Sequence, residues 1–480
     1  MPKNDRLDIP RQKMPTQLAE VRRKNFHEVA LGFPMETALQ EASRCIQCKK
    51  PQCVTGCPVQ VRIPEFILAL REGDMWRAVE MLKDKNSLPA ICGRVCPQET
   101  QCEAKCVLGR RGEPVAIGRL ERFVADWEQS QGVCVPQVPP PNGRRVAIIG
   151  SGPAGLTAAG DLAKKGYHVE ILEALHVPGG VLMYGIPEFR LPKDIVLKEI
   201  NYLERLGVQI RTNIVIGKLY PLPELLDKYD ALFLGTGAGL PMFMNIPGEN
   251  YNGVYSANEL LTRTNLMKGY LFPEWDTPVK VGSIVAVIGA GNVAMDAARC
   301  SLRLGADEVH IVYRRSAAEV PARAEEVHHA EEEGILFDFL TAPVEIYGND
   351  TGWVTGMRCI RIELGESDAS GRRRPIPIEG SEYDMQVDTV VMALGTRPNP
   401  LVFTEAEGLE RTRWGTVVAD EATGRTKLER VWAGGDIVTG AATVISAMGA
   451  GRVAADDIDK YLTASDPGPW WAEKEKDATR

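Results

Sequence analysis

Arg145-Val-Ala-Ile-Ile-Gly150-Ser-Gly152-Pro153-Ala154-Gly155 is the stretch that decides the fold. Its apolar start reads as a short strand, and from Pro153 to Lys165 the apolar residues recur at helical spacing. Each glycine between them has a separate task. Gly150 permits a tight turn, Gly152 lets backbone approach a pyrophosphate, and Gly155 lets helix and strand pack closely. Pro153 suits a first helical turn, where its missing N–H is no loss. A pyrophosphate would lie against the unpaired N–H groups at the helix N-terminus. A second strand, Val169-Glu-Ile-Leu172, ends at Glu173, which is placed to bind a ribose 2′-hydroxyl.

The same order of elements starts again about 140 residues later. Ser283-Ile-Val-Ala-Val-Ile288 leads into Gly289-Ala-Gly291-Asn292-Val293-Ala294, then a helical pattern to Leu304 and a strand Val309-His-Ile-Val312. Here the strand ends in Tyr313-Arg314-Arg315 and not in an acid. A carboxylate about 4 Å from a 2′-phosphate costs roughly 4 kcal/mol per charge pair at an effective dielectric of 20. Arginines reverse the sign and bind the phosphate bidentately, so NADPH is expected at this second site. Strands alternating with helices at this spacing imply parallel sheets with helices on both faces.

Gly434-Gly435-Asp436 follows the strand-like Val431-Trp-Ala433 and resembles the second FAD motif of two-dinucleotide flavoproteins, whose Asp holds the ribityl chain. The next helix, from about Ala442-Thr443, would point its positive end at the flavin. Ala231-Leu-Phe-Leu-Gly-Thr236-Gly237 and Val390-Val-Met-Ala-Leu-Gly395-Thr396 resemble the strands that close the two domains. FAD is therefore expected at the first fingerprint, with the NADP domain inserted into the FAD domain. Gly179-Gly180 to Pro192, including Arg190, resembles the stretch that passes along the flavin, although by composition it is also a plain connecting loop.

At 480 residues the chain exceeds one compact domain. A net charge of −8 argues against nucleic-acid binding, which needs a basic surface. No apolar run reaches the roughly 18–20 residues of a membrane span. The polar, proline-punctuated N-terminus lacks a signal-peptide core, so a cytoplasmic location is expected.

Nine of the eleven cysteines precede residue 135. Eight of these form two groups, Cys45-x2-Cys48-x4-Cys53-x3-Cys57-Pro and Cys92-x3-Cys96-Pro-x4-Cys102-x3-Cys106. Thiolates so spaced converge on inorganic clusters, and Pro after the last Cys of a run is a ferredoxin feature. Zinc sites and buried free thiols are the alternatives; attachment to a flavin reductase favours iron–sulfur. No C-x-x-C follows Cys106, so no dithiol output is expected. No protein side chain is expected to act as a catalytic residue. Glu325-Glu-Val-His-His-Ala-Glu-Glu-Glu333 looks like a metal box but reads as a solvated helix face.

Through the cysteine head, both fingerprints and Gly434–Asp436, nearly the whole chain resembles the small (β) subunit of bacterial glutamate synthase. The head and the reductase region also resemble dihydropyrimidine dehydrogenase. The resemblance implies two 4Fe-4S clusters, one on Cys45, Cys48, Cys53 and Cys106. The other would use Cys57, Cys96 and Cys102 plus a non-cysteine ligand from the helix containing Gly118-Arg-Leu-Glu121. Dihydropyrimidine dehydrogenase has a carboxamide there, whereas this chain has Glu121, and Cys92 is its rival.

The implied activity is hydride transfer from NADPH to FAD, then single electrons through the clusters to a larger α subunit. That subunit carries FMN and makes L-glutamate from L-glutamine and 2-oxoglutarate, so a hetero-oligomer is expected. The alternative keeps the module and changes the acceptor to a dihydropyrimidine dehydrogenase catalytic subunit or ferredoxin. A different class of reading is a non-catalytic scaffold.

The proline-rich Val135–Gly143 is the clearest boundary. The expected division is an arm (1–35), a helical iron–sulfur domain (36–134) and a linker (135–143). The first segment of the FAD domain (144–278), the NADPH domain (279–396), the second segment of the FAD domain (397–465) and a tail (466–480) follow.

Overall fold

The computed structural model of the protein describes residues 9–367, 371–466 and 469–471. The first eight residues of the expected arm, and residues 467–468 and 472–480 of the expected tail, lie outside the described residues.

The head is helical: α1 (Met35–Ser43), α2 (Ile63–Glu72), α3 (Met75–Lys83), α4 (Pro89–Val95) and α5 (Ile117–Gln131). The apolar pattern over Ile63–Leu82 is split at Gly73, whose left-handed backbone (φ 81°) ends α2. Asp74 then caps α3 by accepting from the Arg77 N–H. The inward faces, with Phe66, Ile67, Leu70, Leu82, Leu88, Ile91 and Leu120 wholly buried, share one core with Leu156 and Met448 of the next unit. Head and reductase are thus packed together by the hydrophobic effect, not merely tethered.

Next come β1 (Arg145–Ile149), α6 (Pro153–Ala163), β2 (His168–Leu172), α7 (Lys193–Arg205), β3 (Gln209–Arg211), β4 (Ala231–Leu234) and β5 (Val254–Ser256). The chain continues with β6 (Ile284–Ile288), α8 (Asn292–Arg303), β7 (Glu308–Tyr313), α9 (Ala324–Glu332) and β8 (Leu336–Phe339). The remaining elements are β9 (Thr341–Gly348), β10 (Val354–Ser367), β11 (Arg373–Pro377), β12 (Tyr383–Met385), β13 (Thr389–Met392), β14 (Val431–Ala433) and α10 (Val444–Thr463).

The first sheet runs β14-β4-β1-β2-β3 and the second β5-β13-β6-β7-β8, every pair parallel. All strands of the second sheet fall in sequence between β4 and β14, so one Rossmann-like unit is inserted in the other. An antiparallel sheet of β9, β10, β11 and β12 was not expected from the motifs. Its signal was a broken alternation along β10: Met357 and Cys359 are buried on either side of the exposed Arg358, and Ile362 is buried between the exposed Arg361 and Glu363. Among the described residues no helix is long and apolar enough to cross a membrane.

Helix α9 corrects one expectation. The acidic run is not a solvated face: Glu326, His329 and Glu333 are buried. Glu333 meets Arg299 at 2.8 Å, Arg303 at 2.7 Å and Arg22 of the N-terminal arm at 2.9 Å. Glu326 pairs with Arg299 and, at 3.1 Å, with Arg190. Burial alone would lift the Glu326 carboxyl, but the Arg190 and Arg299 guanidinium groups outweigh it and hold it at about 2. The carboxylates can be buried because arginines from three separate segments neutralise them.

Candidate functional site

The first groove forms where β1 turns into α6. Gly150 has φ 97°, and a Cβ there would come within 2.6 Å of the Gly235 carbonyl at the end of β4. At Gly155 a Cβ would lie 2.0 Å from the Gly150 carbonyl, so only glycine lets the helix sit this close to the turn. At Gly152 an added Cβ meets nothing nearer than 4.0 Å, so the backbone is open to an incoming pyrophosphate, which fits a dinucleotide.

Gly180 approaches Gly152 from one side and Gly435 packs on Ala154 from another, while Thr236 and Gly237 follow β4 beside Gly150. Glu173 lies behind the turn. Its carboxylate accepts from the Ser151 N–H (2.9 Å), the Ser151 hydroxyl and the Leu175 N–H (2.8 Å). Ser151 Oγ in turn accepts from the Gly179 N–H at 2.8 Å, which ties the fingerprint to the loop that follows β2.

Asp436 accepts from the Ala442 N–H at 3.2 Å, and burial lifts its carboxyl to about 6. Thr443 caps α10 by accepting from the Ser446 N–H, so the helix N-terminus opens beside Asp436. The loop between β2 and α7 has its own lock, missed in sequence. The buried Lys193 Nζ donates to the carbonyls of Leu182 (3.0 Å), Leu191 (3.0 Å) and Ile186. Asn265, on a π-helical turn, adds a donor to the Tyr184 and Gly185 carbonyls at 3.3 Å. Arg190 points elsewhere: its guanidinium is taken by Asp296 of α8 at 2.7 Å and by Glu326.

The second groove repeats the first. Gly289 packs on the Ala393 carbonyl at the end of β13, as Gly150 does on Gly235, and Gly395 follows two residues later. Nothing lies within 4 Å of a Cβ added at Gly291. Asn292 opens α8 and its Oδ1 accepts from the Arg323 N–H at 2.9 Å, while Val293 is exposed beside it.

The paired arginines separate. Arg314 is exposed, whereas Arg315 is buried and its Nε donates to the Arg373 carbonyl of β11 at 2.8 Å. Arg373 also donates to Ser316 Oγ at 3.2 Å and pairs with Glu319 at 2.5 Å, so the antiparallel sheet is tied to this end of the groove.

In the head the eight thiols form two sets. Cys45, Cys48, Cys53 and Cys106 line one cavity of about 410 Å³, mouth included, with Ile63, Ile67 and Ile117 among its apolar walls. Burial, then the Cys106 and Cys45 thiols, push Cys53 up to about 12. A metal that takes the proton's place removes that penalty. Arg71 acts electrostatically on Cys45, and its buried Nη1 has no hydrogen-bond partner in the protein, which fits an anionic cluster sulfur.

Cys57, Cys96, Cys102, Cys92 and Glu121 form the second set: the Glu121 carboxylate acts electrostatically on all four thiols. The wholly buried Cys92 thiol lies 3.6 Å from Asn86 Oδ1 and 3.4 Å from Met448 Sδ, and Glu121 accepts from Asn86 Nδ2 at 2.6 Å. Among the described residues no three His, Cys, Asp or Glu side chains close at single-ion distance.

Comparison with known proteins fits both halves. Residues 22–133 match the family described as dihydropyrimidine dehydrogenase domain II, 4Fe-4S cluster. Residues 144–451 match the pyridine nucleotide-disulphide oxidoreductase family. The NADPH glutamate synthase small chain of Azospirillum brasilense is 39% identical over 466 residues, covering 95% of this chain and 96% of that one. The NADP(+)-dependent formate dehydrogenase subunit beta of Moorella thermoacetica is 41% identical over 441 residues, 87% of this chain and 60% of that one. The structure of Mycobacterium tuberculosis FprA in complex with NADPH superposes with a TM-score of 0.56 at 24% identity, over 66% of this chain and 84% of that one, a likeness of fold.

Proposed function

The chain belongs to the family of NADPH glutamate synthase small chains, and from that premise we propose that it passes electrons from NADPH to a larger, FMN-carrying α subunit that makes L-glutamate from L-glutamine and 2-oxoglutarate. It is an NADPH-dependent flavin and iron–sulfur oxidoreductase. When bound, the flavin supplies the conversion of a hydride into single electrons. The protein's role is to bind, orient and connect.

One observation carries the reading. The thiol set around Cys92 touches α10 at Met448, one turn from the helix N-terminus that opens beside Asp436. Gly449 on the same turn lies against Pro58, next to Cys57. The set Cys57, Cys96, Cys102 and Glu121 would therefore hold the cluster nearer the flavin, and Cys45, Cys48, Cys53 and Cys106 the outer one. Gly150, Gly152, Ala154, Gly180, Gly435 and Asp436 would bind FAD. Gly289, Gly291, Asn292, Val293 and Arg314 would bind NADPH, with the 2′-phosphate at Arg314.

The division into a helical domain (36–134), an FAD domain in two segments (144–278 and 397–465) and an inserted NADPH domain (279–396) belongs to the same proposal, as does a cytoplasmic location.

Co-purification from native cells tests the partner. A larger FMN-containing chain should co-elute, and the pair should form glutamate from glutamine and 2-oxoglutarate with NADPH. The pure chain alone should form none; glutamate from it alone would overturn the subunit reading. A second reading, the same reductase module serving another acceptor, is favoured by the 41% identity to a formate dehydrogenase subunit. It predicts a different co-eluting partner.

A further inference from the structure

Exposed basic residues flank, in sequence, the lining of the cavity formed by Cys45, Cys48, Cys53 and Cys106. Lys49 and Lys50 sit between the lining residues Cys48 and Pro51, Lys105 precedes Cys106, and Arg110 and Arg111 follow Leu108. All five are exposed, and so is Arg62 beside the lining Ile63. Among the described residues, the exposed acids on these stretches are Glu65, which Arg62 faces at 3.8 Å, and Glu113.

The chain as a whole carries a net charge of −8, so these basic residues stand against the sign of the molecule. A local field opposed to the net charge steers one face of the molecule toward an oppositely charged partner. Solubility alone would not place them beside the half-buried thiols, where electrons would leave.

We propose that these residues form the docking surface for a protein partner that presents an acidic face around its own electron-accepting centre. The inference rests on the reading of the chain as an electron-transfer subunit and adds the chemistry of the partner's surface. Charge complementarity brings acceptor and outer thiol set together, and the apolar cavity wall excludes water once they meet.

The test uses the full chain loaded with flavin and clusters, and an acidic plant-type ferredoxin as the probe. Its affinity is measured by titration and its reduction by NADPH is followed, over low to high salt. Lys49→Glu with Lys50→Glu, and separately Arg110→Glu with Arg111→Glu, should each weaken binding and slow transfer about tenfold or more. Salt should do the same to the unaltered chain. Iron content and NADPH oxidation by menadione, an uncharged acceptor, should not change.

Unaltered ferredoxin affinity in both reversal variants would overturn the proposal. So would an equal loss in Arg413→Glu, a reversal of an exposed arginine outside the cysteine head, or binding of anionic vesicles or DNA in place of ferredoxin. If the unaltered chain fails to oxidise NADPH with menadione, the electron-transfer reading itself falls; if it does so but never binds ferredoxin, only the docking proposal falls.

Discussion

Arg314 and Arg315 are neighbours that do different work. Arg314 is exposed at the end of β7, while Arg315 is buried and donates to the Arg373 carbonyl. Loss of a charge-assisted hydrogen bond costs about 1.5–3 kcal/mol. Arg314→Ala should therefore raise the NADPH KM roughly tenfold to hundredfold and leave the NADH KM nearly unchanged. Arg315→Ala should instead lower the unfolding temperature and affect both nucleotides alike. Steady-state assays with both nucleotides decide it; a loss confined to NADPH in Arg315→Ala would contradict the division of labour.

The fourth ligand proposed for the set of Cys57, Cys96 and Cys102 is a second question at this scale. Cys92 is packed against Met448 and Asn86, and Glu121 shares Asn86 through only one of its oxygens. Cys92→Ser should keep the full iron content and Glu121→Ala should lose one cluster; the opposite pattern reverses the assignment.

The two fingerprints were legible because their chemistry is local, a strand, a turn and a helix within a dozen residues. The distribution of the cysteines was legible for the same reason. Arg190 was not: its partners Asp296 and Glu326 lie more than a hundred residues away, and nothing near it in sequence announces them.

At the scale of elements, the α8–α9 ion network joins the arm, the loop that carries Arg190 and the inserted unit. Removing one partner of a buried pair costs about 3–5 kcal/mol. Glu333→Gln should accordingly lower the unfolding midpoint strongly, because it strips Arg22, Arg299 and Arg303 together.

Acid should act in two stages. Burial lifts Asp296 to about 6, against the pull of Arg190. Its charged form is a cost at neutral pH that fades as pH falls from about 6 toward 4. Glu326, held at about 2, contributes stability that is complete above about 4.5 and is lost as pH falls toward 2. Thermal unfolding against pH should then hold or rise slightly from neutrality to about 5 and drop steeply below about 4.5. A steady fall from pH 7 would contradict these opposite signs.

Lys193 gives a limb on the alkaline side. Burial lowers its ammonium to about 8, and a neutral amine has too few N–H groups for the three carbonyls it now holds. NADPH oxidation should decline above pH 8, and Lys193→Met should lack that limb.

The acidic run of α9 shows why such elements resist reading from sequence. A run of charges looks the same whether water or distant arginines neutralise it, and only the tertiary fold decides.

Across the whole molecule, the nested order of the sheets follows from the order of the motifs, with strands of one unit before and after the other. The antiparallel β9–β12 sheet was not foreseen, because its alternating strands carry no glycine signature and sit where a parallel pattern was expected. Nor was the grip of the arm: Arg22 is buried against α9, and Phe26 stacks on Tyr270 at 4.2 Å. The units thus form one packed body from the second groove to the cavity lined by Cys45, Cys48, Cys53 and Cys106, as a relay of electrons requires.

The central claim, that electrons enter this body from NADPH at the flavin, is tested most directly by one anaerobic titration. The flavin-loaded, cluster-loaded chain is mixed with NADPH or NADH, and the flavin absorbance is followed without any acceptor. NADPH should bleach the flavin rapidly and to completion, with NADH far slower. A flavin that stays oxidised in excess NADPH would contradict the account.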